Sequence, residues 1–148
     1  MNLRVDFYIT QAHSEDERLR VVCRLTEKAI QAGESVFIFT GDDSQGQRVA
    51  KRVDELLWTF RDCSFIPHQM TNGDERTYSE VAVSIGHDSS KPKSTAILVN
   101  LSEQVPDSLT DYPRLLEVIA ADEASKAAGR TRFKGYRDQG CELHTHNI

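Results

Sequence analysis

Short apolar runs of strand length alternate along this chain with longer segments of helical period, and that alternation limits the fold more than any other feature. Val5–Ile9 and Val36–Thr40 read as buried strands. Between them Leu19, Val22, Cys23, Thr26, Ala29 and Ile30 recur at the spacing of one helix face. Ser14 with Glu17 three residues on is a capping-box start for that helix, and Gly33 stands where a left-handed residue would end it. A second helix is expected over Gln47–Trp58, with Val49, Val53, Leu56 and Leu57 inward. Ser64–Ile66, Val81–Ile85, Ala96–Leu101 and Leu115–Ala120 read as further strands. Asp122 is the expected N-cap of a last helix reaching about Gln139, closed by Gly140. The order β-α-β-α-β-β-β-β-α indicates the α/β class: a Rossmann-like three-layer domain with a mainly parallel sheet and flanking helices. The 148 residues suit a single domain, 1–148, with a short C-terminal tail expected from about residue 141.

With 39% hydrophobic and 28% charged residues, disordered, collagenous and coiled-coil chains are excluded. No apolar run approaches the ~20 residues that span a bilayer, and the strand-like start leaves no secretory signal. Cys23, Cys63 and Cys141 are odd in number and far apart, which argues against a disulfide framework and for a reducing cytoplasm. A net charge of −5 disfavours coating nucleic acid with the whole surface, though a local basic patch is compatible with it.

Catalytic constellations are weak. Gly41 and Gly46 have the glycine spacing of a phosphate loop, but Gln47-Arg48 replaces the required Lys-Ser/Thr, and Asp42 and Asp43 would repel a phosphate. The turn Thr10–His13 has no glycine, and no dinucleotide fingerprint exists. Cys141, His144 and His146 lack the second pair of ligands that a structural zinc site commonly uses. Cys63 with His68 is the one local nucleophile–base candidate, and Cys63 reads equally as packing. Glu15, Asp16 and Glu17 sit at a helix start, where they offset the dipole. The expectation is a binding module with no catalytic residues, cofactor or metal. The alternative is a small nucleotide-binding or hydrolytic α/β protein.

Two segments carry a binding signal. Arg130–Arg137 (RTRFKGYR) has four cations and no acid. On a helix, Arg130, Phe133, Lys134 and Arg137 share a face, so an exposed aromatic is expected among three cations. Such a surface suits an acidic, aromatic-ended peptide through charge-assisted hydrogen bonds and an apolar pocket. Cations placed to offset a helix C-terminus, core roles for Phe133 and Tyr136, and a nucleic-acid patch are the competing readings. The second segment, Trp58–His68, gathers the only tryptophan with Phe60 and Phe65. Aromatics of this kind are enriched at interface hot spots, and Trp58 is expected to be half exposed.

These residues resemble one family. The early Phe7-Tyr8, the run Arg52-Val53-Asp54-Glu55-Leu56-Leu57-Trp58, then Ser64-Phe65-Ile66-Pro67-His68, and finally Arg130 through Arg137 followed by Gly140 are similar, in order and spacing, to the chi subunits of bacterial DNA polymerase III. The resemblance spans essentially the whole chain. It implies a Rossmann-like fold without a nucleotide cofactor, and a non-catalytic bridging role in the nucleoid-associated replisome of the cytoplasm. One face would bind the acidic C-terminal tail of single-stranded DNA-binding protein. Another would bind the psi subunit, or an equivalent partner, and through it the clamp loader. By position, Arg130, Phe133 and Lys134 would hold the tail, Ile119 would wall its pocket and Lys126 would flank it. Trp58 and Phe65 match the partner surface. Phe133 stands where the family often has Tyr, so a contact through a phenol hydroxyl is absent.

Overall fold

The computed structural model describes residues 3–41, 43–59, 68–70, 83–86, 96–106 and 113–148. Along the chain run β1 (Arg4–Ile9), α1 (Glu15–Gln31), β2 (Val36–Phe39), α2 (Ser44–Thr59), β3 (His68–Met70), β4 (Val83–Gly86), β5 (Ile97–Asn100), β6 (Arg114–Ile119), α3 (Glu123–Asp138) and β7 (Glu142–Asn147). The seven strands form one sheet in the order β3-β4-β2-β5-β6-β1-β7, and every pairing is parallel.

Alternation along the strands sorts side chains onto two faces. Val36, Ile38, Ile97, Val99, Leu116 and Val118 pack against Leu19, Val22, Val53, Leu56 and Leu57 of α1 and α2. Val5, Phe7, Phe37, Leu98, Leu115 and Ile119 form a second cluster with Tyr136 of α3. A parallel sheet needs cover on both faces, and this division supplies it. Each fully buried large apolar side chain contributes ~1.5–3 kcal/mol.

The helix ends follow from local chemistry. Ser14 Oγ accepts from Glu17 N at 3.2 Å, and Glu17 Oε2 accepts from the His13 N–H at 2.8 Å. Asp122 accepts from Ser125 N and Oγ at 2.9 and 2.7 Å. Gly33 (φ 84°) and Gly140 (φ 82°) close α1 and α3 in the left-handed region. In both, the next residue donates back across the turn, Glu34 to Ala29 O and Cys141 to Tyr136 O.

One expectation needs correction. The residues after Gly140 do not trail as a tail; they form β7, paired with β1 over its whole length. Its sequence is polar because it is an edge strand with little to bury, so it has no apolar signal. The spacing of Gly41 and Gly46 serves the turn expected there, not a phosphate loop. Gly41 turns with φ 104°, and a Cβ on Gly46 would run into the Gly41 carbonyl, so both glycines serve a tight strand-to-helix turn. The expected strand Ser64–Ile66 lies outside the described residues, as does Cys63.

Candidate functional site

Helix α3 presents two different faces. Gly129, Arg132 and Tyr136 are buried. Beneath them lies Glu117 of β6, a lone carboxylate inside an apolar strand and fully buried. It accepts from Tyr136 Oη at 2.6 Å, from Asn100 Nδ2 at 2.8 Å and from Arg132 Nε at 3.1 Å. Burial pushes its carboxyl above the ordinary range, opposed by Arg132 and the neutral donors. The same burial, with Glu117 beside it, pushes the Tyr136 phenol up. Arg132 also reaches Glu103 O at 3.3 Å, and Asn100 Nδ2 reaches Gln104 O at 3.1 Å. The network therefore ties α3 to β5, β6 and the loop after β5, and fixes the rotation of the helix about its axis.

That rotation turns the other stripe outward. Arg130 and Lys134 are exposed and one turn apart, Lys126 is half-buried one turn before Arg130, and none of the three is in an ion pair among the described residues. Phe133 is not the fully exposed ring the spacing suggests. It is half-buried, with its centroid 5.3 Å from the Phe7 ring of β1. Phe7 also meets Tyr136 edge-on at 5.9 Å, so Phe133 packs against a fixed aromatic group while staying partly exposed. Arg137 is exposed, 3.9 Å from Asp138. Arg132, one of the four cations of the segment, belongs to the buried network instead.

Ile119 ends β6 beneath α3, where a Cβ on Gly129 would lie 3.0 Å from its Cδ1. The absent side chain lets the helix approach that closely. Ile119 also lines a crevice of about 490 Å³ at the carboxyl ends of β2, β5 and β6, together with Arg18, Asp43, Ser125 and Arg132. Asp43 Oδ1 there accepts from Gly46 N at 2.7 Å, filling the helix-start donor that a phosphate would use.

Trp58, at the end of α2, is 57% exposed. Phe65 lies outside the described residues. Among the described residues no group of three or more His, Cys, Asp or Glu could hold a metal ion. His144 bonds Glu142, and His146 bonds Asp6 at 2.9 Å. Burial pushes the Cys23 thiol up to about 12, which makes it a packing residue. No helix among the described residues is long and apolar enough to cross a membrane.

Sequence reasoning missed the Glu117 network and a cluster around Asp6. Asp6 is fully buried, yet hydrogen-bonded by Arg4, Arg114 and His146 at 2.8–3.1 Å. The one signal for either was a single acid inside an apolar strand.

Residues 2–144 match the family described as "DNA polymerase III chi subunit, HolC". The DNA polymerase III subunit chi of Pseudomonas aeruginosa is 32% identical over 145 residues, which is 98% of this chain and 96% of that protein. The Haemophilus influenzae subunit chi is 25% identical, over 96% and 95%. The Escherichia coli subunit chi is 27% identical, over 85% and 82%. Among solved structures, T4 UvsW shares the fold at a TM-score of 0.61 and 9% identity; the match covers 99% of this chain and 41% of that one.

Proposed function

This chain belongs to the DNA polymerase III chi subunit family, and on that premise we propose that it is a non-catalytic bridge. It docks the acidic C-terminal tail of single-stranded DNA-binding protein on the outer stripe of α3, and it reaches the clamp loader through psi or an equivalent partner at Trp58 and Phe65. One observation carries the first part: among the described residues Arg130 and Lys134 are in no ion pair, and they stand one turn apart beside a ring that packs on Phe7. Free guanidinium and ammonium groups give carboxylates charge-assisted hydrogen bonds. A half-covered ring gives a terminal aromatic or apolar side chain a surface to stack on. Ile119, under Gly129, supports the apolar side of this seat, and Lys126 extends its charge. The exposure of Trp58, at the far end of a different helix, supports a second and separate docking surface. A protein with this role works in the cytoplasm, at the replisome.

Calorimetric titration with a peptide copying the tail tests the reading. Saturable binding is expected, lost when the terminal aromatic is removed, and weakened by ~2 kcal/mol in Phe133→Ala. Unchanged affinity in that variant overturns the assignment. Trp58→Ala should leave tail affinity intact while weakening capture of psi.

A further inference from the structure

The face of β1 and β7 opposite α3 is also built for a ligand, and it lies apart from both docking surfaces. Pairing sets its side chains in rows. Arg4 lies between Arg114 and Glu142, and Tyr8 stands next to His146. The His146 ring stacks on Tyr8 with centroids 4.8 Å apart and planes 20° apart. Arg4, Arg114 and His146 remain 37–46% exposed, because α1 lies over β6 and β2 rather than over this edge of the sheet.

Asp6 organises the face, with Glu142 in register beside Arg4 as a second acid on its β7 side. The Asp6 carboxylate receives both guanidiniums and the His146 ring, so its one negative charge is shared by two permanent cations. Arg4 bonds Asp6 through Nε and Nη2, Arg114 bonds it through Nε and gives Nη2 to Tyr8 Oη at 3.3 Å, and each guanidinium keeps donors for an incoming anion. Beyond Tyr8 and His146 the face opens into a groove of about 460 Å³, between Thr10 and Ile148 on the sheet side and Glu17, Arg20, Val21 and Arg24 on α1. Arg20 and Arg24 are exposed, one turn apart, and in no ion pair among the described residues.

We propose that this face, from Arg4 and Arg114 past the Tyr8–His146 stack to Arg20 and Arg24, binds single-stranded nucleic acid. The track follows six strand residues, about 20 Å. Cations at both ends take phosphates, and the aromatic pair between them takes a base. An acidic peptide fits less well, because such peptides anchor an apolar side chain in a pocket, whereas the aromatic surface here is the stacked Tyr8–His146 pair, and Glu142 beside Arg4 and Glu17 in the groove would repel a run of carboxylates. The placement gives a member of a DNA polymerase family a contact with the strand itself, separate from the tail seat on α3.

The test is fluorescence anisotropy of a labelled oligothymidylate of ~20 nucleotides with the full chain, at low salt and along a salt series. Binding is expected at low salt, weakening steeply as salt rises. The variant R20E/R24E, at exposed positions with no ion pair among the described residues, should bind at least about tenfold more weakly. It should bind the tail peptide like the wild type, which shows that it is folded. H146A should weaken the oligonucleotide and spare the tail. A saturating tail peptide should not displace the oligonucleotide. The proposal is overturned by absence of binding at low salt or by unchanged affinity in R20E/R24E. Displacement by the tail peptide would put the strand on α3 instead. Affinity for polyglutamate equal to that for the oligonucleotide would make the face a peptide surface. Because tail binding is read on the same samples, failure here and failure of the tail assignment are distinguishable.

Discussion

Asp6 and Glu117 are both fully buried carboxylates, on neighbouring strands β1 and β6, and both bond arginine. They titrate in opposite directions. Burial raises both. At Glu117 it wins over one guanidinium, one phenol and one amide, all inside the core. At Asp6 the hydrogen bonds from Arg4, His146 and Arg114 together outweigh it and hold the carboxyl at about 2. The difference is the number of cations and where their charge can go. Arg4 and Arg114 reach water from an open face, whereas the Arg132 side chain is only 7% exposed. A buried acid ringed by half-exposed cations shapes a surface. A buried acid with one buried cation fixes the position of a helix.

The largest expected effect comes from breaking the core pair. Arg132→Ala leaves Glu117 buried without its cation and should cost ~3–5 kcal/mol by urea unfolding. A loss under 1 kcal/mol would mean that water or the phenol already satisfies Glu117. Next is Asp6→Asn, expected to cost ~2 kcal/mol near neutral pH. It carries a pH signature as well. Asp6 has a folded pKa below its unfolded one, so its stabilisation is present above the ordinary carboxylate range and lost as pH falls from ~4 to about 2. Acid unfolding of Asp6→Asn should lack that component; an unchanged acid limb would show that other groups control it.

The surface pair gives the smallest effect. Arg52 holds Asp16 at 2.6 and 2.9 Å, which lowers the Asp16 pKa, but both side chains are largely in water. Asp16→Asn should cost at most ~1 kcal/mol, and less in high salt. A larger loss would mean that the bond orders α1 against α2 rather than decorating it.

The contrast also marks what the sequence could reveal. Apolar periodicity located α1, α2 and most strands, because those elements bury one face each, while α3 was placed by Asp122 and Gly140, which like Ser14 and Gly33 act through purely local chemistry. β7 had no such signal. It is held by backbone pairing to β1, and Glu142–Asn147 contributes little to any core. The stripe of Arg130 and Lys134 follows from helical spacing alone. What spacing could not show is that Arg132 turns inward, because its partner Glu117 is distant in sequence, nor that Phe133 leans on Phe7. Asp6 gathers residues from both ends of the chain, Arg4 and His146, a proximity that only the folded sheet creates.

The most direct test of the account compares two arginines of equal charge. The tail peptide of single-stranded DNA-binding protein is titrated by calorimetry into Arg130→Ala and, in parallel, into Arg20→Ala. Arg130→Ala is predicted to weaken binding by ~2 kcal/mol, and Arg20→Ala to leave it within ~0.3 kcal/mol. Equal weakening in both would reduce the interaction to diffuse charge, and no weakening in Arg130→Ala would place the tail away from α3.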